Sequence, residues 1–314
     1  MQLVYLQLFM QHTPIIFIIA GPTAVGKTAM AIKVAQHFGC NIISADSRQC
    51  YREMNIGVAR PSLAELAAVQ HYFIASHSIH EEVNAAVFEA YALQVASEQL
   101  SKNPFLVMVG GTGLYIKAFM QGLDAIPAIP ESLRNTISST YVNEGLTWLQ
   151  EQVQQQSPEA WQQIDQQNPQ RLMRALEVQI HTGKSIVAWQ QGAQVQRPFR
   201  MVPIVLDMDR AALYERINQR VLQMIDVGLL AEVTALQPFA HLNALQTVGY
   251  TELFSYLRGD INLPQGIAQI QAHTRQYAKR QITWFKHQWQ AAHFNAVDVS
   301  GVIHYCEQYS KLKH

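Results

Sequence analysis

The stretch Pro14-Ile-Ile-Phe-Ile-Ile-Ala20-Gly21-Pro-Thr-Ala-Val-Gly26-Lys27-Thr28 decides the fold. Its first half is an apolar run of strand length, too uniform to leave one face in water, so it predicts a fully buried parallel strand. Its second half is a complete GxxxxGK[ST] motif, followed by helical periodicity from Lys27 to Phe38. Strand, glycine loop and helix in that order make a phosphate cradle. Glycines let backbone N–H groups turn inward, Lys27 neutralises charge, and the helix N-terminus adds its dipole. Gly21, Pro22, Thr23, Ala24, Val25, Gly26, Lys27 and Thr28 are the expected phosphate-binding residues, with the Thr28 hydroxyl on Mg²⁺. The motif leaves open whose phosphates are bound.

Further strands are expected at Asn41 to Ala45, ending at Asp46, at Phe105 to Val109, ending in Gly110-Gly111-Thr112-Gly113, and at Met201 to Leu206. Strands alternating with helices predict an α/β fold, a P-loop NTPase-like doubly wound parallel sheet. After Gly122 the character changes to glutamine-rich, helix-periodic sequence, which reads as an inserted helical subdomain. The expected organisation is an α/β core at 1–122 and 201–314, with C-terminal helices, and a helical insertion at 123–200. The clearest inserted helix has Asn168 as N-cap, Pro169 at its first position and a stop at Gly183. Leu172, Leu176 and Ile180 mark its expected apolar stripe, with Arg171 and Arg174 on another face. Trp148, Leu149, Trp161 and Ile164 are the other core candidates of this region. In the last long helix, Ala278, Ile282, Phe285 and Trp289 are expected to form an apolar stripe beside a basic one of Arg275, Lys279 and Lys286.

Composition narrows the class. With 314 residues, 49% hydrophobic and 15% charged, the chain can bury a large core and is not disordered. Three cysteines, Cys40, Cys50 and Cys306, make no CxxC spacing, which argues against a structural zinc site or a disulfide framework and for a reducing, cytoplasmic setting. The twelve histidines form no metal-binding pattern with them. Met1 to Ala20 is apolar, yet it lacks a basic leader and is broken by Gln2, Gln7, Gln11, His12 and Pro14. Met1 to Gln11 therefore reads as a peripheral extension, and no membrane span is expected. The 23 basic and 23 acidic residues balance, so polyanion binding must come from local patches. Residues 166–206 carry five arginines and lysines against Glu177 as the one glutamate, and residues 261–290 carry four with no acid.

In a doubly wound sheet Asp46 and Thr112 stand at strand ends, where both reach the crevice above the glycine loop. Each has a plainer reading: Asp46 with Ser47 as a turn former, and the Gly110–Gly113 loop as a tight strand-to-helix turn. Arg220, in a helical run from Arg210 to Val227, reads by pattern alone as a solvated surface arginine.

Longer blocks are specific. Asp46-Ser-Arg-Gln-Cys-Tyr-Arg-Glu-Met-Asn-Ile-Gly-Val-Ala-Arg-Pro61, Gly110-Gly-Thr-Gly-Leu-Tyr115, Asn168-Pro-Gln-Arg-Leu-Met-Arg-Ala-Leu-Glu177, Val248-Gly-Tyr250 and Thr274-Arg-Gln-Tyr-Ala-Lys-Arg-Gln-Ile-Thr-Trp-Phe285 follow the glycine loop in order. Together they resemble the tRNA dimethylallyltransferase family, with Val58 and Arg60 standing where that family usually has Thr and Lys. The resemblance implies transfer of a dimethylallyl group from dimethylallyl diphosphate to N6 of the adenosine immediately 3′ of the anticodon, by a monomer working with Mg²⁺. It implies that Gly21 to Thr28 grip that diphosphate rather than ATP, that Asp46 accepts the N6 proton, and that Thr112 and Arg220 bind the departing diphosphate. It implies contacts to the tRNA anticodon stem-loop from Asp46, Ser47, Arg48 and Gln49, from Gln170, Arg171, Leu172, Met173 and Arg174, and from Gly249 and Tyr250. Two other readings share the phosphate cradle or the chemistry. One is a nucleotide kinase or NTPase, for which Asp207 after Val205-Leu206 is the candidate second acidic motif. The other is prenyl transfer to free adenine nucleotides.

Overall fold

The computed structural model describes residues 13–190, 192 and 195–311; the extension expected at Met1 to Gln11 lies outside them. Strand β1 (Ile15–Ala20) enters the loop that leads to α1 (Lys27–Phe38), and β2 (Ile42–Ser44) follows. Next come α2 (Leu63–Ala68), β3 (His71–Tyr72), α3 (Ala85–Leu100), β4 (Phe105–Gly110) and α4 (Gly113–Gln121). Helices α5 (Glu131–Gln156), α6 (Pro158–Gln163), α7 (Pro169–Thr182) and α8 (Ile186–Trp189) precede β5 (Arg200–Asp207). The chain ends with α9 (Arg210–Asp226), α10 (Leu229–Leu236), α11 (Tyr250–Leu257), α12 (Leu263–Gln288), β6 (Ala292–Asn295) and α13 (Val299–Lys311).

The six strands form one parallel sheet in the order β3-β2-β4-β1-β5-β6. β1 is central, paired with β4 through Ile15 to Phe105 and with β5 through Ile15 to Arg200, and all six of its residues are buried. Its continuous apolar run hides a period of two. Ile16, Ile18 and Ala20 enter the core on one face, while Ile15, Phe17 and Ile19 enter the core on the other. This is the doubly wound α/β sheet expected from the sequence. The short edge strands β3 and β6 carried too little apolar patterning to be anticipated.

The chain divides into two compact units: the described residues up to Met120 together with those from Gln196 onward, and Gln121–Val195. The second unit has its own core, in which α7 packs on α5 through Leu172, Ala175, Leu176, Leu149 and Val153. Asn168 caps α7 by accepting the Arg171 N–H at 3.2 Å, Pro169 opens the helix, and Gly183 closes it at φ 70. The stripe ends sooner than its periodicity suggested. Ile180 is 47% exposed, whereas Val178, off the expected stripe, is fully buried. Helix α12 shows a similar difference: Ala278 and Phe285 are buried, but Ile282 is 38% exposed and Trp289 lies just past the helix end, its indole facing Met120. Among the described residues no helix is long and apolar enough to cross a membrane. Cys40, Cys50 and Cys306 are free and buried.

Candidate active site

The glycine loop leaves β1 with Gly21 and Pro22 buried, and returns to helical geometry through Gly26, whose φ of 109 lies in the left-handed region that favours glycine. Two cavities of the first unit meet at this loop, one of about 490 Å³ and one of about 250 Å³. The larger is lined by Thr23, Ala24, Gly26, Lys27 and Thr28, and by cationic side chains from α9. The smaller is largely apolar, with Ile217, Val221, Met224, Leu229, Val248 and Ile270 in its walls. Asp46, Val58, Ala59 and Arg220 border both. Ala24 and Ala59, which also border both, hold left-handed φ values of 64 and 51. That conformation costs a non-glycine residue about 1–3 kcal/mol, so the surrounding contacts must hold it in place.

Not every residue of the motif faces the cavity. Gly21, Pro22 and Val25 line neither cavity, and the Val25 N–H turns back to Pro22 O at 3.4 Å. The Thr23 N–H donates to Gln281 Oε1 on α12 at 2.8 Å, while Gln281 Nε2 donates to Gly111 O at 2.9 Å. The Thr23 and Val25 N–H groups are therefore engaged within the protein, and the open cradle consists of Ala24 and of Gly26 to Thr28. Gln281 sat in a recognised block without an assigned role. Its partners lie 258 and 170 residues away, a separation no local pattern reveals.

Lys27 reaches over the loop and donates to Pro22 O at 2.7 Å. Burial lowers its pKa to about 8, against the opposing pull of Asp46 and with further lowering by Arg220. Arg220 is also pushed down, by burial first, with Asp46 raising it and Arg216 lowering it. Arg220 is half-buried and lines both cavities, which distinguishes it from a fully solvated surface arginine. Arg216, one turn earlier on α9, lines the larger cavity, and its polar contacts are Val25 O at 3.5 Å and Met208 Sδ at 3.8 Å, with no carboxylate partner among the described residues. Sequence reasoning missed Arg216; its i, i+4 relation to Arg220 was the available signal.

Asp46 borders both cavities and also forms its turn. Its Oδ1 accepts the N–H groups of Arg48 at 2.9 Å and Gln49 at 3.2 Å, the turn-forming role, while among the described residues Oδ2 accepts none. Thr112 differs from expectation: it lines neither cavity. Its hydroxyl accepts the Ser47 N–H at 3.1 Å and donates to Ser47 Oγ at 3.4 Å. Thr112 thus braces the Asp46–Ser47 turn. Burial pushes the Tyr277 pKa up to about 12, so that phenol stays neutral.

The expected RNA-contacting residues divide. Ser47, Arg48 and Gly249 line the smaller cavity, with Arg48 donating to Asn243 O at 3.0 Å. Gln49 is tied inward, its Nε2 donating to Val58 O at 3.2 Å and Ala59 O at 3.0 Å. Tyr250 is fully buried and donates its hydroxyl to Glu232 at 2.6 Å, so its side chain has no surface to offer RNA. In the second unit Gln170 and Arg171 are exposed, and Arg174 pairs with Glu177 at 3.3 Å. Leu172 and Met173 are buried core residues, which removes them as surface contacts. Asp207 lines neither cavity at the glycine loop and pairs with His293 at 2.5 Å, so the acid required by the phosphoryl-transfer reading is not at the phosphate site.

A family model described as IPP transferase matches residues 49–288. The chain belongs to this family. An IPP transferase relative named tRNA dimethylallyltransferase, from Flavobacterium johnsoniae, is 44% identical over 294 residues, covering 91% of this chain and 95% of its own. A protein of the same name from Christiangramia forsetii is 45% identical over 268 residues, covering 85% and 89%. Among solved structures, the tRNA isopentenylpyrophosphate transferase of Bacillus halodurans superposes with a TM-score of 0.69 at 32% identity, covering 94% of this chain and 95% of its own.

Proposed function

We propose that this IPP transferase carries a dimethylallyl group from dimethylallyl diphosphate to N6 of the adenosine immediately 3′ of the anticodon in tRNA, in the cytoplasm. The observation that carries the reading is the meeting of a cationic cavity and an apolar cavity at Asp46 and Arg220. A diphosphate ester and an amine nucleophile need that division: charge on one side, and a dry surface for the prenyl group and base on the other. Relatives of matching length carry the corresponding name.

Lys27, Arg216 and Arg220, with the backbone of Ala24 and of Gly26 to Thr28, hold the diphosphate. As the N6–C1 bond forms, the C1–O bond breaks and its electron pair leaves with the diphosphate, where these cations meet the growing charge. The adenine N6 is a poor nucleophile because its lone pair is delocalised into the ring. Asp46 Oδ2, free of the turn that holds Oδ1, accepts the proton N6 loses. The Thr28 hydroxyl lines the cationic cavity, and the described residues contain no cluster of three or more acidic, histidine or cysteine ligands. That donor set fits Mg²⁺, which keeps several waters and binds through one or two protein oxygens plus substrate phosphates. Bound there, it would neutralise diphosphate charge beside Thr28.

The test is a label-transfer assay with dimethylallyl diphosphate and an unmodified anticodon stem-loop, run beside AMP as acceptor and beside ATP hydrolysis. Label is expected in the RNA at the adenosine following the anticodon. Label in AMP alone, or ATP hydrolysis without transfer, would replace this reading with one of its competitors.

A further inference from the structure

The carboxylate of Glu232 on α10 accepts four hydrogen bonds. Its Oε2 takes the N–H groups of Asn55 at 3.1 Å and Ile56 at 2.8 Å, and its Oε1 takes the Gly57 N–H at 3.0 Å and the Tyr250 hydroxyl at 2.6 Å. Three consecutive backbone donors of one loop thus converge on a side chain some 175 residues away. The approach is tight: a Cβ at Gly57 would lie 2.5 Å from the Tyr250 ring, so only glycine fits.

The next two residues of that loop, Val58 and Ala59, form the partition that borders both cavities. Ala59 is one of the strained left-handed residues, and Gln49 holds both carbonyls from the other side. Gln49 in turn gives its backbone N–H to Asp46. On the opposite flank, Tyr250 begins α11 directly after Thr247, Val248 and Gly249, which line the smaller cavity. One carboxylate therefore ties together the partition, the wall of the smaller cavity and, through Gln49, the turn that carries Asp46.

We propose that Glu232 is a positioning residue for the transfer: it fixes the partition at Val58 and Ala59 and thereby aligns the donor carbon with the acceptor amine. This rests on the reaction proposed above. Fold stability alone is a poor account of the arrangement. Asn55 is exposed, so its N–H has access to water, and a carboxylate with a phenol partner must give up hydration to sit there. What the carboxylate supplies that water does not is a single geometry for three successive donors.

Glu232→Gln tests this. An amide of the same shape keeps one acceptor oxygen and turns an NH₂ toward groups that formerly donated, so at least one loop N–H loses its partner. With both substrates saturating, kcat is expected to fall by about 10- to 100-fold, the scale of a sub-ångström to 1 Å misalignment. The Kd values for dimethylallyl diphosphate and for an anticodon stem-loop should stay within about threefold of wild type, the mark of an interaction expressed in the transition state only. Tyr250→Phe, which removes one of the four donors, should show a smaller loss in the same direction. Gln49→Met, which frees the partition from its other side, should reproduce the kcat-selective loss and keeps the test available should Glu232→Gln fold poorly. An unchanged kcat in Glu232→Gln and Gln49→Met would overturn the proposal. So would a fall in Tm and in both affinities together, with normal turnover per folded molecule, since that is the behaviour of a structural contact. A wild-type control that fails to label the stem-loop would instead sink the transfer reading itself, so the two failures are distinguishable.

Discussion

At the scale of single residues, the chemistry rests on groups held by one atom and left open at another. Asp46 uses Oδ1 for its turn and keeps Oδ2 unpartnered among the described residues, which lets the same side chain be rigid and basic. Asp46→Asn retains an oxygen to accept the Arg48 and Gln49 N–H groups but cannot take a proton. Single-turnover transfer should therefore fall by about 10²- to 10⁴-fold, with both substrates bound nearly as before. A variant within about threefold of wild type would assign the limiting step to leaving-group departure. Lys27 makes a second residue-scale prediction. With a pKa lowered to about 8 in the free protein, its ammonium is fully present below that pH and lost above it. A diphosphate binds the ammonium form, so affinity for dimethylallyl diphosphate should be flat below about pH 7.5 and fall by up to about tenfold per pH unit above 8. Titration calorimetry across that range checks it, and Lys27→Met should bind weakly with no such step. A step of equal size in Lys27→Met would place the titrating group elsewhere.

At the scale of elements, legibility followed the range of the interactions. Helix α1 was readable to its ends because Gly26 and Gly39, both left-handed, punctuate it locally. Helix α7 was readable because cap, proline and stop all lie within its own sixteen residues, 168–183. The core strands β1, β4 and β5 were readable because burial on both faces writes itself as an apolar run. What stayed hidden depended on distant partners: Gln281 on the glycine loop, Glu232 on residues 55–57, and Thr112 bonded to Ser47. The kink in α5 at Gly145, with φ 80, was not anticipated either, because a lone glycine in a helical pattern signals no direction of bend. Element-scale reasoning also makes a claim about α7. Arg171 is exposed with its helix anchored from below by Leu172 and Leu176, an arrangement that presents a cation on a rigid support. If α7 contacts the RNA backbone, Arg171→Ala should weaken stem-loop binding for every sequence and reduce the slope of log K against log salt by about one unit. Arg174→Ala should do less, because Arg174 already shares its charge with Glu177. Equal slopes for wild type and Arg171→Ala, measured by fluorescence anisotropy over a salt series, would remove α7 from the RNA surface.

At the scale of the whole molecule, the chain has no net charge to steer a polyanion, so recognition must be divided among local surfaces. The two compact units suggest how. Every residue of both cavities belongs to the first unit, whose sheet buries separate apolar cores on its two faces. The second unit has one small core built from α5, α6 and α7, and Leu176 stands in it at 1% exposure. A core that small has little redundancy. Leu176→Ala should cost the second unit about 2–5 kcal/mol through lost burial and the cavity left behind. Because the first unit's cores contain no residue of 121–195, its phosphate cradle should be indifferent to that loss. Pyrophosphate binding is therefore expected at wild-type affinity in Leu176→Ala. Hydrogen exchange should speed up across α5 and α7 and remain slow in β1, β4 and β5, and stem-loop binding should weaken. The outcome that would defeat this division is parallel loss: pyrophosphate affinity falling with stem-loop affinity, and exchange rising in the central strands as well. The chain would then unfold as one cooperative body, and the second unit would be a structural support of the phosphate site rather than a separate surface for RNA.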